Sequence, residues 1–305
     1  MITHTSVRGH GARLYGAVVA VLMTIAFVAT QTATGQDASV SVSANQRLAY
    51  GEALNVRGQV SGGEPRQQVK LLYAPRGQDF KTVDTARTGE RGGYRLRHRP
   101  IRTGSVRVLT GGAAASRTRT VKVVAGIAAA EREHVNVGDR ARVRGRLQPG
   151  YRGRTVRIQQ RKRGRWVTVD RDRTARRGRF VGSWKVKRSA GRYRTRVVFR
   201  GDRRNARRVE KTRLFVYRPG QASYYGPGLY GNRTACGQTL TPSTLGVANR
   251  WLPCGTRVTF RHRGRTVTVP VIDRGPFHGS RIWDLTYATK RKLGFGSTGV
   301  VWSTR

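Results

Sequence analysis

Acidic residues are scarce in this sequence, and so are segments with the periodicity of a helix. Asp and Glu number 15 against 61 Lys and Arg, which gives a formal net charge of +46 at pH 7. Such a surface attracts polyanions, whether nucleic acid, anionic lipid or acidic wall polymers. The 38 Gly residues and the shortage of helical periodicity argue against a mainly helical protein and favour an all-β fold of two or three domains.

Long apolar runs are also missing, with one exception near the N-terminus. Residues 17–29 form a run of 13 with a single polar member, which is shorter than the roughly 20 residues of a membrane span. Two Arg residues precede this run, and a small-residue cleavage site follows at 33–35. The pattern predicts a secretory signal peptide over residues 1–36 rather than a membrane anchor. No Cys lies near the cleavage region to carry a lipid.

Export narrows the location and the partners. It predicts a secreted, extracellular protein associated with the cell wall, with no stable membrane insertion after signal cleavage. A nucleic-acid role is then not expected, and anionic cell-wall polymers become the natural partner of so basic a chain.

Cysteine is represented by Cys236 and Cys254 alone. In an exported protein an even pair this close predicts one disulfide. Closing a loop of that size stabilises the fold by roughly 3 kcal/mol. No group of His and Cys has the spacing of metal ligands, so we expect neither a metal nor another cofactor.

The middle of the chain contains an internal repeat. The stretch "GEALNVRGQV" at residue 51 resembles "GDRARVRGRL" at residue 138, and the offset of 87 residues persists over the whole unit. Short strands between Gly-rich turns predict two β-sandwich domains, 37–125 and 126–217, which resemble bacterial Ig-like repeats.

Arg residues alternate with apolar residues in these strands, so one face of each strand is basic. Residues 37–220 carry +34 of the net charge. That is more than solubility requires and favours an electrostatic anchor on anionic wall polymers. A face that only solubilises the sheets is the alternative.

The composition changes after "VYRPGQ", where Pro219-Gly220 predicts a linker over 218–221. Residues 222–305 then form a third predicted domain. Within it "TRVTFRHRGRTVTVPVIDRGP" predicts a hairpin whose return strand places alternate valines on one face, with Asp273 as the next residue in phase.

Several ordered motifs of this last domain resemble the RlpA-like family (rare lipoprotein A, lytic transglycosylases of the septal ring). They are S-x-Y-G at 223–226, T-A-x-G at 234–237, L-P-x-G-T at 252–256, D-R-G-P-F at 273–277 and D-L-T at 284–286. The resemblance implies a six-stranded double-psi β-barrel, a fold that also occurs in expansins. It implies peptidoglycan glycan strands as the substrate.

The resemblance also assigns roles to residues. Asp273, the Asp of D-R-G-P, is the implied catalytic residue, Gly275 and Pro276 form the turn after it, and Asp284 has a structural role before the predicted helix cap Thr286. The implied substrate-binding residues are Tyr225, Gln238, Asn249, Arg274, Phe277 and His278. Gln238 and Asn249 stand where the family usually has Glu and His. Cys236 and Cys254 both replace residues other than Cys, which supports their pairing.

Two functions follow. With one catalytic acid the barrel fits a lytic transglycosylase, which protonates the glycosidic oxygen and then takes a proton from the sugar's own C6 hydroxyl. A hydrolase needs two carboxylates and is disfavoured. The alternative is a non-catalytic, expansin-like module that binds glycan or loosens the wall. The intact D-R-G-P-F motif favours the enzyme, whereas Gln238 and Asn249 favour the binding module.

Overall fold

The structure is a computed structural model that describes residues 38–111, 114–187 and 189–305. The predicted signal peptide lies outside these ranges. Within them, no helix combines the length and the apolar character needed to cross a membrane. Almost all of the regular structure is strand, which confirms the all-β prediction.

The first region folds into two facing sheets. Its strands are β1 (Ser39–Val40), β2 (Ser43–Ala44), β3 (Arg47–Ala49), β4 (Leu54–Ser61), β5 (Gln68–Pro75), β6 (Lys81–Arg87), β7 (Gly93–His98), β8 (Gly104–Thr110) and β9 (Arg119–Val124). In one sheet β4 pairs with β1, β2 and β7, and the other sheet has the order β3-β9-β8-β5-β6. Apolar side chains from both sheets form one core, in which Leu54, Leu71 and Val106 are fully buried.

The second region has the same two-sheet design. Its strands are β10 (Gly126–Ala129), β11 (Arg132–Asn136), β12 (Arg140–Gln148), β13 (Thr155–Lys162), β14 (Arg165–Arg173), β15 (Arg179–Lys185), β16 (Gly191–Gly201) and β17 (Ala206–Tyr225). The sheets have the orders β10-β12-β15 and β11-β17-β16-β13-β14. A separate core lies between them, with Leu147, Ile158 and Val197 fully buried.

The pairing of strands repeats between the two regions. β3 runs parallel to β9, and β11 runs parallel to β17 in the same way. Each region also has a register shift at the same place in its β5–β6 or β13–β14 hairpin, after Leu71 and after Ile158. These two residues are 87 apart, which is the offset of the sequence repeat. The Ig-like assignment and the domain limits 37–125 and 126–217 stay predictions.

The last region is a closed barrel. It adds β18 (Val247–Ala248), β19 (Arg257–His262), β20 (Arg265–Asp273), β21 (Trp283–Thr286), α1 (Tyr287–Leu293) and β22 (Gly299–Ser303). The ring runs β17-β22-β19-β20-β18-β21 and closes from β21 back to β17. Six strands therefore form the barrel, as predicted. The hydroxyl of Thr286 accepts a hydrogen bond from the amide of Thr289 and caps α1, which also agrees with the sequence.

The predicted linker 218–221 is not a loop. These four residues belong to β17, and they pair with residues 300–303 of β22. Pro219 lacks an amide N–H, and Gly220 lacks a side chain to pack, which is why the sequence suggested a break. Pairing with β22 keeps these four residues in an extended strand, so β17 runs without a break from the second sandwich into the barrel.

A buried Arg ties the junction between the two sandwiches. The side chain of Arg154 is 4% exposed and bonds to Asp202 at 3.0 Å, to the Asn205 amide oxygen at 3.1 Å and to the Pro149 carbonyl at 3.1 Å. Asn205 in turn donates to the carbonyl of Ile101 in the first sandwich at 2.9 Å. The network therefore links both sandwiches through one guanidinium.

We expect Arg154→Leu to lower the free energy of unfolding by about 3 kcal/mol, because it leaves Asp202 without its partner. Adding Asp202→Asn to that variant should recover part of the loss. Urea unfolding followed by circular dichroism measures both effects. Arg152→Leu, two residues away and exposed, is the control. Equal losses in Arg154→Leu and Arg152→Leu would show that the network does not stabilise the junction.

Candidate active site

Two carboxylates lie at one end of the barrel, on either side of β18. Ala248 of β18 is opposite Asp273, the last residue of β20, and it is also opposite Asp284 of β21. Asp284 is in turn opposite Ser223 of β17. Residues that are far apart in sequence therefore meet because the ring brings these four strands together.

One oxygen of Asp273 is fixed by backbone donors. Its Oδ1 accepts hydrogen bonds from the amides of Ala235 and Arg274, both at 2.9 Å. Among the described residues, Oδ2 accepts no hydrogen bond within normal bonding distance. The carboxylate is half-buried. It is therefore oriented by one oxygen and offers the other to a bound molecule.

Tyr225 stands beside both acids. Its hydroxyl is buried and has no hydrogen-bond partner within normal geometry among the described residues. Burial raises the pKa of this hydroxyl strongly, and the charges of Asp273 and Asp284 raise it further. Tyr225 thus keeps its proton and is a donor next to Asp273. The ring of Tyr225 is half-buried, and its expected contact with substrate stays a prediction.

Asp284 is a second acid of the site. Burial raises its pKa above the ordinary value of 3.8, a hydrogen bond from the Ser223 hydroxyl at 2.9 Å and the charge of Arg281 lower it, and the charge of Asp273 raises it again. The net direction is upward. The sequence analysis assigned Asp284 only a structural role near the helix cap. The structure places it in the same cluster as Asp273 and Tyr225.

Arg274 and Asn249 are used within the protein. The guanidinium of Arg274 donates to the carbonyl of Leu252 at 3.1 Å and contacts the sulfur of Cys254 at 3.4 Å. Asn249 is 3% exposed, its side-chain oxygen accepts from the amides of Trp251 and Leu252, and its side-chain nitrogen donates to the Ile282 carbonyl. These contacts support a structural role for both residues, as supports of the 249–254 loop, and the substrate contacts expected from the sequence stay a prediction.

A disulfide holds the loop that donates to Asp273. Cys236 and Cys254 are bonded, which confirms that prediction. The amide of Cys236 also donates to the carbonyl of Ile272, the residue before Asp273. Gln238 lies in the same tight loop and is exposed, with no side-chain hydrogen bond among the described residues.

The segment after Asp273 forms a turn and then an exposed loop. Gly275 has a φ of 120°, a conformation that residues with a side chain rarely adopt, and Gly275 and Pro276 are both buried. Phe277 is 69% exposed, and His278 is exposed as well. Trp251, in the 249–254 loop, is 68% exposed. It was not among the residues predicted to bind substrate. Its exposure was not readable from the sequence, where an aromatic residue is more often part of a core.

The described residues contain no cluster of three or more His, Cys, Asp or Glu residues that would hold a metal ion. The polar groups gathered at this end of the barrel include the carboxylates of Asp273 and Asp284, the hydroxyl of Tyr225 and the backbone amides of Ala235 and Arg274.

Residues 218–302 match the protein family described as lytic transglycolase. The probable endolytic peptidoglycan transglycosylase RlpA of Synechocystis sp. is 47% identical over 83 residues, which cover 27% of this chain and 26% of that protein. The endolytic peptidoglycan transglycosylase RlpA of Pseudomonas aeruginosa is 42% identical over 82 residues, which cover 26% of this chain and 24% of that protein. The probable endolytic peptidoglycan transglycosylase RlpA of Aquifex aeolicus is 40% identical over 87 residues, which cover 28% of this chain and 38% of that protein. The chain thus spans a quarter to two fifths of the length of these relatives.

Because the pKa of Asp284 is raised, the native state holds its proton more tightly than the unfolded chain does. The stability of the wild type should therefore fall relative to Asp284→Asn as pH rises from about 4, and the two should differ least below that pH. Urea unfolding between pH 3.5 and 7.5 measures the difference. Ser223→Ala removes a hydrogen bond that lowers this pKa and should enlarge the effect. Parallel pH profiles of wild type and Asp284→Asn would contradict the assignment.

The closed six-stranded ring, the ordered motifs around Asp273 and the family match over 218–302 agree with one another. The match begins at Arg218, inside the stretch that had been assigned to a linker. The C-terminal region of this chain is an RlpA-like double-psi β-barrel, and it is similar to the family described as lytic transglycolase.

Proposed function

We propose that the barrel cleaves the glycan strands of peptidoglycan as a lytic transglycosylase, with Asp273 as its acid and base. The observation that carries this proposal is the half-buried Asp273 carboxylate, held through Oδ1 by two backbone amides and placed beside the Tyr225 hydroxyl. The relatives named above support the same reaction.

The reaction balances without water. The protonated Asp273 donates its proton to the oxygen of the glycosidic bond as the bond from that oxygen to C1 breaks. The carboxylate then takes the proton of the C6 hydroxyl of the same sugar, while the C6 oxygen bonds to C1. The product is a 1,6-anhydro sugar, and Asp273 is again protonated.

The neighbours of Asp273 have separate tasks in this scheme. The amides of Ala235 and Arg274 fix its plane, so that Oδ2 faces the same place throughout the cycle. Tyr225 keeps its proton and donates a hydrogen bond to a sugar oxygen or to Asp273. Asp284 lies close enough to Asp273 for the charge of Asp273 to raise the pKa of Asp284, and its carboxylate form stabilises positive charge that develops at C1.

Exposed aromatic rings offer surfaces for the sugars. Phe277 follows the catalytic turn, and Trp251 lies on the loop that Asn249 and Arg274 support. Arg250 covers the Trp251 ring with its guanidinium at 4.5 Å from the ring centre. Rings of this kind bury apolar sugar faces at little cost in side-chain entropy. His278, on the same loop as Phe277, is proposed to contact substrate as well.

We further propose that the protein is exported and acts in the cell wall, with the two sandwiches held on anionic wall polymers. The supports are the signal pattern in residues 1–36, the disulfide, and the positive charge of the middle region.

A non-catalytic, glycan-binding module is the second candidate. The observation that favours it is Gln238, which places an amide where the resembling family carries a carboxylate, in the loop that contacts Asp273. An amide accepts and donates hydrogen bonds but does not transfer protons, so this loop retains the ability to bind sugar.

Asp273→Asn separates the two candidates. Asn keeps the acceptor for the amides of Ala235 and Arg274 but does not cycle a proton, so release of 1,6-anhydro sugars from purified peptidoglycan should fall by about 10²-fold or more. Mass spectrometry of the products measures the release, and sedimentation with insoluble wall measures binding, which should persist. Asp79→Asn, an exposed acid in the first sandwich, is the matched control.

Gln238→Glu completes the test. If the wild type releases no anhydro sugar and Gln238→Glu does, the second candidate is correct for the natural chain. If the wild type is active and Asp273→Asn is equally active, the assignment of Asp273 is wrong.

A further inference from the structure

A row of four arginines crosses the outer face of the larger sheet in the second sandwich. Arg194 of β16 is opposite Arg213 of β17. Arg161 of β13 follows Gln160, which is opposite Thr195 of β16, and it lines the same concave surface as Arg194. Arg213 is also opposite Arg132 of β11. Trp166 of β14 continues the row beyond Arg161. Adjacent strands are about 4.8 Å apart, so the four positions span about 14 Å. We call these four arginines the Arg row.

The Arg row is costly for the sheet by itself. All four side chains are exposed, and none forms an ion pair with a described acid. Like charges directly opposite each other on neighbouring strands destabilise a sheet. An anionic ligand laid across the row would neutralise these charges.

A second basic row lies beside the first. Arg196 of β16 is opposite Lys211 of β17, two residues along each strand from the Arg row. The guanidinium of Arg196 bonds to Gln159 at 2.8 Å and lies 4.1 Å from the centre of the Trp166 ring. These contacts hold Arg196 in place. The same concave surface is lined by two acids, Glu131 and Glu210, and Glu210 is already bonded to Arg208 at 2.8 Å.

The first sandwich has no such row, although it has the same pairing of strands. There the corresponding row begins at Ala74 of β5 and continues through Ser105 of β8 and Thr120 of β9. Opposed arginines also occur in the first sandwich, as at Arg57 and Arg95, but there they form a pair, whereas Arg194, Arg213 and Arg132 are opposed across three strands. The Arg row is thus a local feature of the second sandwich.

We propose that the Arg row is the binding site for a linear phosphodiester polymer of the cell wall, laid across the strands. This rests on the proposed location of the protein, and it assigns the anionic partner to one surface. The planar fork of a guanidinium matches two oxygens of a phosphate, and a straight series of such forks suits a chain with repeated charges. A single small anion would leave most of the row unpaired.

The test uses the full chain with three substitutions that copy the first sandwich: Arg161→Ala, Arg194→Ser and Arg213→Thr. The control removes the same charge from the smaller sheet of the same sandwich, by Arg142→Ala, Arg144→Ser and Arg146→Thr, all exposed in β12. The probe is fluorescently labelled poly(glycerol phosphate), titrated at several salt concentrations. We expect the row variant to bind at least tenfold more weakly than the control variant. Its plot of log affinity against log salt should lose about three in slope.

Further arms decide between the outcomes. A cooperative thermal melting transition in each variant shows that it folds. Equal losses in both variants would overturn the proposal in favour of diffuse attraction. Tighter binding of polygalacturonate or of single-stranded DNA at matched charge would replace the phosphodiester wall polymer with a carboxylate polymer or a nucleic acid.

The outcome is separable from that of the barrel. The row variant should release anhydro sugars from polymer-free peptidoglycan at the wild-type rate, whereas Asp273→Asn should bind poly(glycerol phosphate) as the wild type does. Loss of cleavage with retained polymer binding would therefore count only against the barrel's proposed activity.

Discussion

The strand β17 is the constraint on which the rest of the structure depends. It runs for 20 residues, which corresponds to about 66 Å of extended chain. Its first half pairs with β16 and β11 in the second sandwich, and its last residues pair with β22 and β21 in the barrel. The core of the second sandwich and the core of the barrel are therefore both built against this one strand. Tyr225, the last residue of this strand, places its hydroxyl beside both acids of the candidate site.

Arg serves three different purposes in this chain. Arg154 is buried and connects two sandwiches, and Arg274 supports a loop beside the candidate site by donating to backbone carbonyls. The Arg row faces solvent, and none of its members forms an ion pair with a described acid. The positive charge is therefore not spread evenly over the surface. Some of it is buried inside the fold, and some is concentrated on one sheet.

The sequence predicted what depends on local pattern. Alternation of apolar and polar residues predicted the strands, their buried faces and the hairpin that ends at Asp273, and the ordered motifs predicted the barrel. The cluster around Asp273 was only half predicted, because the place of Asp284 depends on the pairing of β21 with β18 and of β18 with β20, which no local pattern encodes. The break expected at Pro219 was wrong for the same reason, since β22 supplies partners from the far end of the chain. The burial of Asn249 was not predicted either, because it depends on how the loop of residues 249–252 folds around its side chain.

The disulfide introduces an order of events in time. The residue next to Cys236 is Ala235, whose amide orients the Asp273 carboxylate, and the partner Cys254 lies on the loop that Arg274 holds. While both thiols are reduced, hydrogen bonds alone attach that segment to the barrel wall. Oxidation then fixes it covalently. Under the proposed export, the chain would gain this covalent link beside Asp273 only after it leaves the reducing compartment in which it is made.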